Sequence, residues 1–212
     1  MGRWKMPALG LAALAGIQTV RMGLVFLAQL VGPDSLTWNR VYNAAFFLAA
    51  SAALVWAMRR AGIRPAVLPP SRKPGYTAAA ALTALFWGIT PFITRDFSAE
   101  NLVFLAESAL LLPVFEELLF RGFLWDRLER AFGGGSAALW QSAALYGLWH
   151  VGYADTILCR MAWTGREGNL IAILCGKVLT GFLLGLCFGW LRRKFRNGFP
   201  GLLAHIVLNT MG

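Results

Sequence analysis

Residues 113–125 read Pro-Val-Phe-Glu-Glu-Leu-Leu-Phe-Arg-Gly-Phe-Leu-Trp, an apolar helical run that three ionisable side chains interrupt. At about 100° per residue, Glu117 and Arg121 share one helix face, whereas Glu116 is turned about a quarter turn away from Glu117. We therefore predict that Arg121 neutralises Glu117 and leaves Glu116 without an ionic partner. Because ionisable residues inside membrane segments are functional by default, Glu116 is a candidate catalytic group. An Arg–Glu pair that merely locks helices together is the structural alternative.

The composition surrounding this run is that of an integral membrane protein. The 212 residues are 58% hydrophobic and only 14% charged, far from the average of soluble domains. The net charge of +10 does not indicate nucleic-acid binding, because the basic residues cluster at the ends of apolar runs, as topology control requires. The three cysteines are odd in number and form no C-x-x-C motif, so the sequence predicts neither a disulfide framework nor a thiolate metal site.

Apolar runs near the length that crosses a bilayer recur along the whole chain. We predict an all-α, polytopic membrane helix bundle with about seven hydrophobic segments, forming a single integral membrane protease domain over residues 1–212. A Pro- and Arg-rich linker, residues 61–75, separates the second and third segments, and residues 101–212 form the motif-bearing half. The seven segments are about 7–31, 41–58, 76–94, 101–125, 137–158, 169–190 and 199–211.

Prolines and glycines predict where these segments bend and pack. Pro91 is expected to stop or bend the third segment, and Pro113 to kink the fourth or open one of its turns. In the sixth segment a small-residue stripe at spacing four allows close helix packing; it comprises Gly181, Gly185 and Gly189.

The distribution of basic residues predicts the orientation of the bundle. With a cytoplasmic N-terminus, thirteen Lys and Arg residues fall on cytoplasmic segments and four on the opposite side, which the positive-inside rule favours. We therefore place the chain in a membrane, the bacterial inner membrane, with its N-terminus in the cytoplasm. Since Glu116 lies about 22 Å along its helix from Asn101 at 1.5 Å per residue, we expect its cavity to open on the cytoplasmic side.

Both histidines of the chain lie inside predicted membrane segments, each with a polar neighbour at helical spacing. His150 follows Tyr146 by four residues, and Asn209 follows His205 by four. Hydrolysis in a membrane needs a base that holds a water and donors aimed at the developing oxyanion. Glu116 suits the base, His150 can share the water or carry a proton, and His205 with Asn209 can donate to the oxyanion. This set predicts direct attack by water without an acyl-enzyme.

These residues resemble the CAAX protease and bacteriocin-processing family, also called the Abi family of glutamic intramembrane proteases. The family pattern is Glu-Glu-x-x-x-Arg, then Phe-x-x-x-His, then His-x-x-x-Asn, on successive membrane helices. The chain matches it with Glu116, Glu117 and Arg121, with Tyr146 and His150, and with His205 and Asn209. Tyr146 replaces the family's Phe and adds a hydroxyl that must find a partner.

The resemblance implies that Glu116, His150, His205 and Asn209 are catalytic and that Glu117, Arg121 and Tyr146 support them. It implies no cofactor and no metal. The implied substrate is a membrane-embedded or lipidated peptide or protein, and the reaction is processing of lipidated, exported or C-terminally tagged chains. The lipid bilayer is the implied surrounding, and nucleic acid is not a partner.

Two other functions fit the same residues. Glu116, His150 and His205 could bind zinc as a His, His, Glu set, although the chain has no H-E-x-x-H motif. Alternatively, the buried charges form an ion path or a locking network in a non-catalytic binding or immunity protein. Arg21 is expected to snorkel or to pair within the bundle. Several tryptophans are expected to be interfacial anchors rather than ligands, Trp125 and Trp149 among them.

Overall fold

The regular structure of the chain is helical in the computed structural model, which describes residues 5–65, 67–69 and 74–211. No strand occurs within these residues, and the helical bundle predicted from the sequence is confirmed. The α-helices are α1 (Lys5–Val31), α2 (Leu36–Arg60), α3 (Pro74–Thr94), α4 (Ala99–Ala106), α5 (Leu112–Glu117), α6 (Trp125–Phe132), α7 (Gly135–Trp149), α8 (Ala154–Thr164), α9 (Leu170–Phe195) and α10 (Phe199–Met211).

Four of these helices are long and apolar enough to cross a membrane: α1, α2, α3 and α9. Their outer faces expose large apolar side chains such as Phe26, Trp56 and Leu82, which is the pattern of a surface that faces lipid rather than water. The helix α10 is apolar but has only 13 residues. The count of seven spanning segments is therefore not confirmed.

The predicted fourth segment is a continuous helical stretch that contains two π-helical turns, Glu107–Leu111 and Leu118–Leu124. In the first, the N–H of Leu112 donates to the carbonyl of Glu107, five residues back. Pro113 follows at once and has no N–H to donate, so the ordinary α-helical ladder is interrupted there. The locally opened turn expected near Pro113 is present, and it lies on its N-terminal side.

The predicted fifth segment does not continue as one straight helix. The helix α7 ends at Trp149, a 3₁₀ turn follows over His150–Tyr153, and α8 then runs over Ala154–Thr164. The break coincides with Gly152, against which the side chain of Gln18 from α1 is packed. A side chain at this position would clash with Gln18, so the approach of α1 depends on glycine here.

The Pro- and Arg-rich linker lies partly outside the described residues, because residues 66 and 70–73 are not among them. The helix α3 begins at Pro74, earlier than predicted, which a proline at the first helical position allows. Pro91 does not stop this helix, which continues to Thr94. The bend expected at Pro91 is thus limited to the last turn.

The small-residue stripe of α9 packs against α7 as predicted. A Cβ atom added to Gly185 would lie 2.9 Å from Cα of Ala143, and one added to Gly189 would lie 2.5 Å from Cδ1 of Leu139. Both distances are shorter than real contacts permit, so the two helix backbones are as close as glycine allows. The third glycine, Gly181, faces His150 instead of the α7 backbone.

Candidate active site

Glu116 is fully buried between α5, α7 and the 3₁₀ turn and accepts three hydrogen bonds. Its Oε1 accepts from Nε1 of Trp149 and from the hydroxyl of Tyr153, both at 2.7 Å. Its Oε2 accepts from the hydroxyl of Tyr146, also at 2.7 Å. A carboxylate oxygen accepts about two such bonds, so Oε1 is saturated while Oε2 retains one acceptor position.

Glu117 is paired with Arg121, as the spacing of four predicts. Nη1 of Arg121 lies 3.1 Å from Oε1 of Glu117, and both side chains are inaccessible. Nη2 of Arg121 donates to the carbonyl of Gly185 at 3.2 Å, and the guanidinium lies 4.5 Å from the ring centroid of Tyr146. Arg121 therefore ties the Glu-bearing stretch to α7 and α9 as well as balancing the charge of Glu117.

His205 lies between the two glutamates. Its Nε2 is 3.7 Å from Oε2 of Glu116, and its Nδ1 is 3.4 Å from Oε1 of Glu117. The imidazole stacks on the ring of Phe188, with centroids 4.8 Å apart, and Nε2 also lies 3.4 Å from the hydroxyl of Tyr146. The short helix α10 thus brings its histidine onto the Glu-Glu pair, with the ring plane fixed by Phe188.

His150 begins the 3₁₀ turn and lines the same cavity. Its Nδ1 lies 2.8 Å from the carbonyl oxygen of Tyr146. Because a carbonyl only accepts, Nδ1 carries the proton of this bond, and Nε2 is left free for a second partner. The ring occupies space beside Gly181 that a larger residue would fill.

Asn209 lies one turn beyond His205 on α10 and also lines the cavity. Its Nδ2 donates to the carbonyl of Ser108 at 2.9 Å. Ser108 lies in the first π-helical turn, so this bond attaches the end of α10 to the opened part of the Glu-bearing stretch. An amide nitrogen has two N–H groups, and one remains for another acceptor.

A cavity of about 570 Å³ joins these side chains. The predicted residues Glu116, Tyr146, His150, His205 and Asn209 all contribute to its wall, while Glu117 and Arg121 lie behind it. This volume falls within the range of sites for small molecules or short peptide segments. All seven side chains predicted from the sequence are thus brought together in and behind one cavity.

The cavity opens at the end of the bundle where α2 and α9 begin, since its wall includes Leu36, Phe104 and Gly168. This end is opposite the basic cluster that closes α9. With the N-terminus in the cytoplasm it is the non-cytoplasmic end, so the expected cytoplasmic opening does not agree with the predicted orientation. The cause is the break after Trp149: the chain turns aside at His150 instead of running straight, which leaves space between α2, α4, α8 and α9.

Two tryptophans expected to be interfacial anchors are core residues. Trp125 and Trp149 are 1% and 2% exposed. Trp149 and Tyr153 hold Glu116, yet neither was a candidate from the sequence, because an aromatic residue in an apolar helix carries the same signal whether it faces lipid or a site. The spacing of Glu116's donors, 146, 149 and 153, is helical and is the signal that could have identified them.

Within the described ranges no group of three or more His, Cys, Asp or Glu side chains is arranged to hold a metal ion. His205 and Glu116 are near each other, but Glu116 already accepts three protein hydrogen bonds. A zinc ligand set needs free carboxylate and imidazole donors directed at one point. The geometry therefore does not favour the zinc alternative.

Comparison with known proteins extends these observations. Residues 97–211 match the family model described as type II CAAX prenyl endopeptidase Rce1-like. No curated protein and no solved structure matches the chain. The matched region covers more than half of the chain and contains every side chain of the candidate site. The chain therefore belongs to the Rce1-like family of type II CAAX prenyl endopeptidases, an integral membrane protease family.

Proposed function

We propose that this protein is a glutamic intramembrane endopeptidase in which Glu116 activates a water molecule. The observation that carries the proposal is the position of Glu116: it is buried at the cavity wall, its Oε1 is saturated by Trp149 and Tyr153, and its Oε2 has one free acceptor position facing His205. Two hydrogen bonds of ordinary length let a single water contact both Oε2 and Nε2 of His205, whose separation is 3.7 Å.

In this mechanism the water oxygen forms a bond to the scissile carbonyl carbon while its proton passes to Oε2 of Glu116. The oxyanion of the tetrahedral intermediate accepts hydrogen bonds from His205 and from the second N–H of Asn209. The C–N bond then breaks, and the leaving amine takes a proton from Glu116, with the free Nε2 of His150 assisting the transfer. No acyl-enzyme forms.

Glu117 and Arg121 have a supporting role in this proposal. The pair places one full positive charge next to the carboxylates without contacting the cavity, and His205 bridges it to Glu116. The substrate is a membrane-associated peptide or protein, cleaved in the processing of lipidated, exported or C-terminally tagged chains. The whole chain acts as one protease domain, with its N-terminus in the cytoplasm of a bacterial cell.

The test is cleavage of a panel of lipidated and unlipidated membrane peptides by the purified protein. Wild type is compared with Glu116→Gln, which keeps the shape of the side chain but removes the base. The matched control is Glu107→Gln, because Glu107 is a buried glutamate of the same helical stretch that pairs with Arg40 instead of the histidines.

We expect cleavage by wild type and Glu107→Gln, loss of at least 10³-fold in Glu116→Gln, and no effect of a chelator. Cleavage that the chelator abolishes would support the zinc alternative. A folded wild type that cleaves no member of the panel would favour a non-catalytic binding protein.

A further inference from the structure

Arg21 of α1 lies outside the family match, yet it is fully buried and makes four hydrogen bonds. Its Nε donates to Oε1 of Gln18 at 2.7 Å, and its Nη1 donates to Oδ1 of Asn43 at 2.6 Å. Its Nη2 donates to the carbonyl of Gly152 at 2.7 Å and to Oδ1 of Asp155 at 2.6 Å. A buried arginine with this many partners is well ordered, because each bond restricts the planar guanidinium.

Three of the groups bonded to Arg21 and Gln18 belong to the break between α7 and α8. Gln18 donates its Nε2 to the carbonyl of Trp149 at 3.2 Å, so one residue of α1 satisfies the last carbonyl of α7. Arg21 satisfies the carbonyl of Gly152 and the carboxylate of Asp155 on the other side of the break. A helix end inside a membrane needs such partners, since lipid offers none.

The broken segment carries two side chains of the candidate site. It begins with His150, and it ends with Tyr153, whose hydroxyl donates to Glu116. The guanidinium of Arg21 also lies 5.3 Å from the ring centroid of Tyr153. The position of Arg21 is therefore linked through one 3₁₀ turn to both the donor that orients Glu116 and the histidine that lines the cavity.

We propose that Arg21 is a positioning residue of the peptidase: it fixes the His150–Tyr153 turn, and through this turn it orients Glu116 and His150 for catalysis. This inference rests on the proposed function. It assigns a catalytic requirement to α1, a helix that carries none of the family's motif residues. A residue that only stabilises the bundle would lower the melting temperature without a specific effect on turnover or on this turn.

The experiment compares wild type with Arg21→Met, Arg21→Lys and the double variant Arg21→Met with Asp155→Asn. The double variant removes the carboxylate that Arg21→Met leaves unpaired, so it remains foldable if the single variant is not. Asp126→Asn is the matched control, because Asp126 forms an ion pair of 3.0 Å with Arg192 at the opposite end of the bundle. Each protein is assayed for kcat and KM and for amide hydrogen exchange of residues 150–155.

We expect Arg21→Met and the double variant to lose about 10²-fold in kcat with a change in KM of less than about threefold, since a small displacement of catalytic groups has this effect. Arg21→Lys keeps the charge but cannot reproduce the fork of donors, so it recovers only part of the rate. Exchange in residues 150–155 rises in the Arg21 variants and stays unchanged in Asp126→Asn.

A second variant links the effect to the turn. In a Tyr153→Phe background, the further loss in kcat from Arg21→Met should be much smaller than in wild type, because both changes act on the same contact with Glu116. Additive losses, a kcat within about threefold of wild type, or unchanged exchange in residues 150–155 would each overturn the proposal. An inactive wild type would refute the proposed function, whereas the exchange data alone decide whether Arg21 holds the turn.

Discussion

The hydroxyl of Tyr146 donates to Oε2 of Glu116 at 2.7 Å, on the carboxylate oxygen that faces His205. The family pattern that the chain resembles has Phe at this position, so the bond is a departure specific to this chain. The hydroxyl occupies the side of Glu116 on which the proposed water is held, and it lies 3.4 Å from Nε2 of His205. Tyr146 and the water therefore compete for the same two partners.

Replacing Tyr146 with Phe is expected to preserve or raise peptidase activity. The change removes one of three donors to Glu116, but the carboxylate lines a cavity from which a water can replace it. The control is Tyr153→Phe, which removes a donor from the saturated Oε1; we expect it to lower kcat about tenfold by loosening the carboxylate. A loss of more than tenfold in Tyr146→Phe would show that the hydroxyl itself takes part in the reaction.

Replacing Gly181 with Ala is expected to lower activity about tenfold. The added Cβ would lie 2.6 Å from Nδ1 of His150, which real atoms do not allow, so the imidazole must move away from the carbonyl of Tyr146. The control is Gly176→Ala on the same helix, where nothing lies within 4 Å of the added atom. Activity should be unchanged there, and equal activity of the two variants would contradict the placement of His150.

Replacing Arg121 with Met is expected to destabilise the fold strongly, because it leaves Glu117 as an unpaired buried charge. Such a loss costs about 3–5 kcal/mol, or a decrease of about 10 °C in apparent melting temperature for a chain of this size. The double variant Glu117→Gln with Arg121→Met removes both charges and should recover most of the decrease. If the single variant melts like wild type, Arg121 is not the partner that Glu117 requires.

The orientation of the cavity can be tested by cysteine labelling in a background without the three native cysteines. Arg166→Cys lies at the cavity mouth, and Arg64→Cys follows the C-terminal end of α2. With a cytoplasmic N-terminus, a membrane-impermeant maleimide should label Arg166→Cys in intact cells and Arg64→Cys only after permeabilisation. The reverse pattern would place the cavity mouth in the cytoplasm and overturn the orientation predicted from charge.

The residues of the candidate site were accessible to sequence reasoning because each charge or polar group stood out against an apolar run. The pairing of Glu117 with Arg121 follows from helical spacing alone, and the opened turn near Pro113 follows from its missing N–H. The convergence of His150 and His205 on Glu116 could be expected because unpaired polar groups in a membrane need one another.

Features that depend on packing between distant segments were not predicted. Nothing local distinguishes Trp149 and Tyr153 from lipid-facing aromatics; their partner, Glu116, lies more than 30 residues away. The break after Trp149 requires Gln18 and Arg21 of another helix to satisfy its carbonyl groups. Because a straight fifth helix was assumed, the end of the bundle at which the cavity opens was wrong.

The two π-helical turns have a consequence for how this chain tolerates insertions and deletions. A π turn holds one residue more than an α turn, so loss of one residue within 118–124 would let the helix revert to regular winding and rotate everything that follows by about 100°. Trp125 and Leu128, now in the core, would then face a different neighbour. Single-residue deletions here should therefore be far less tolerated than substitutions, and alignments that place a gap in this stretch would misassign the residues after it.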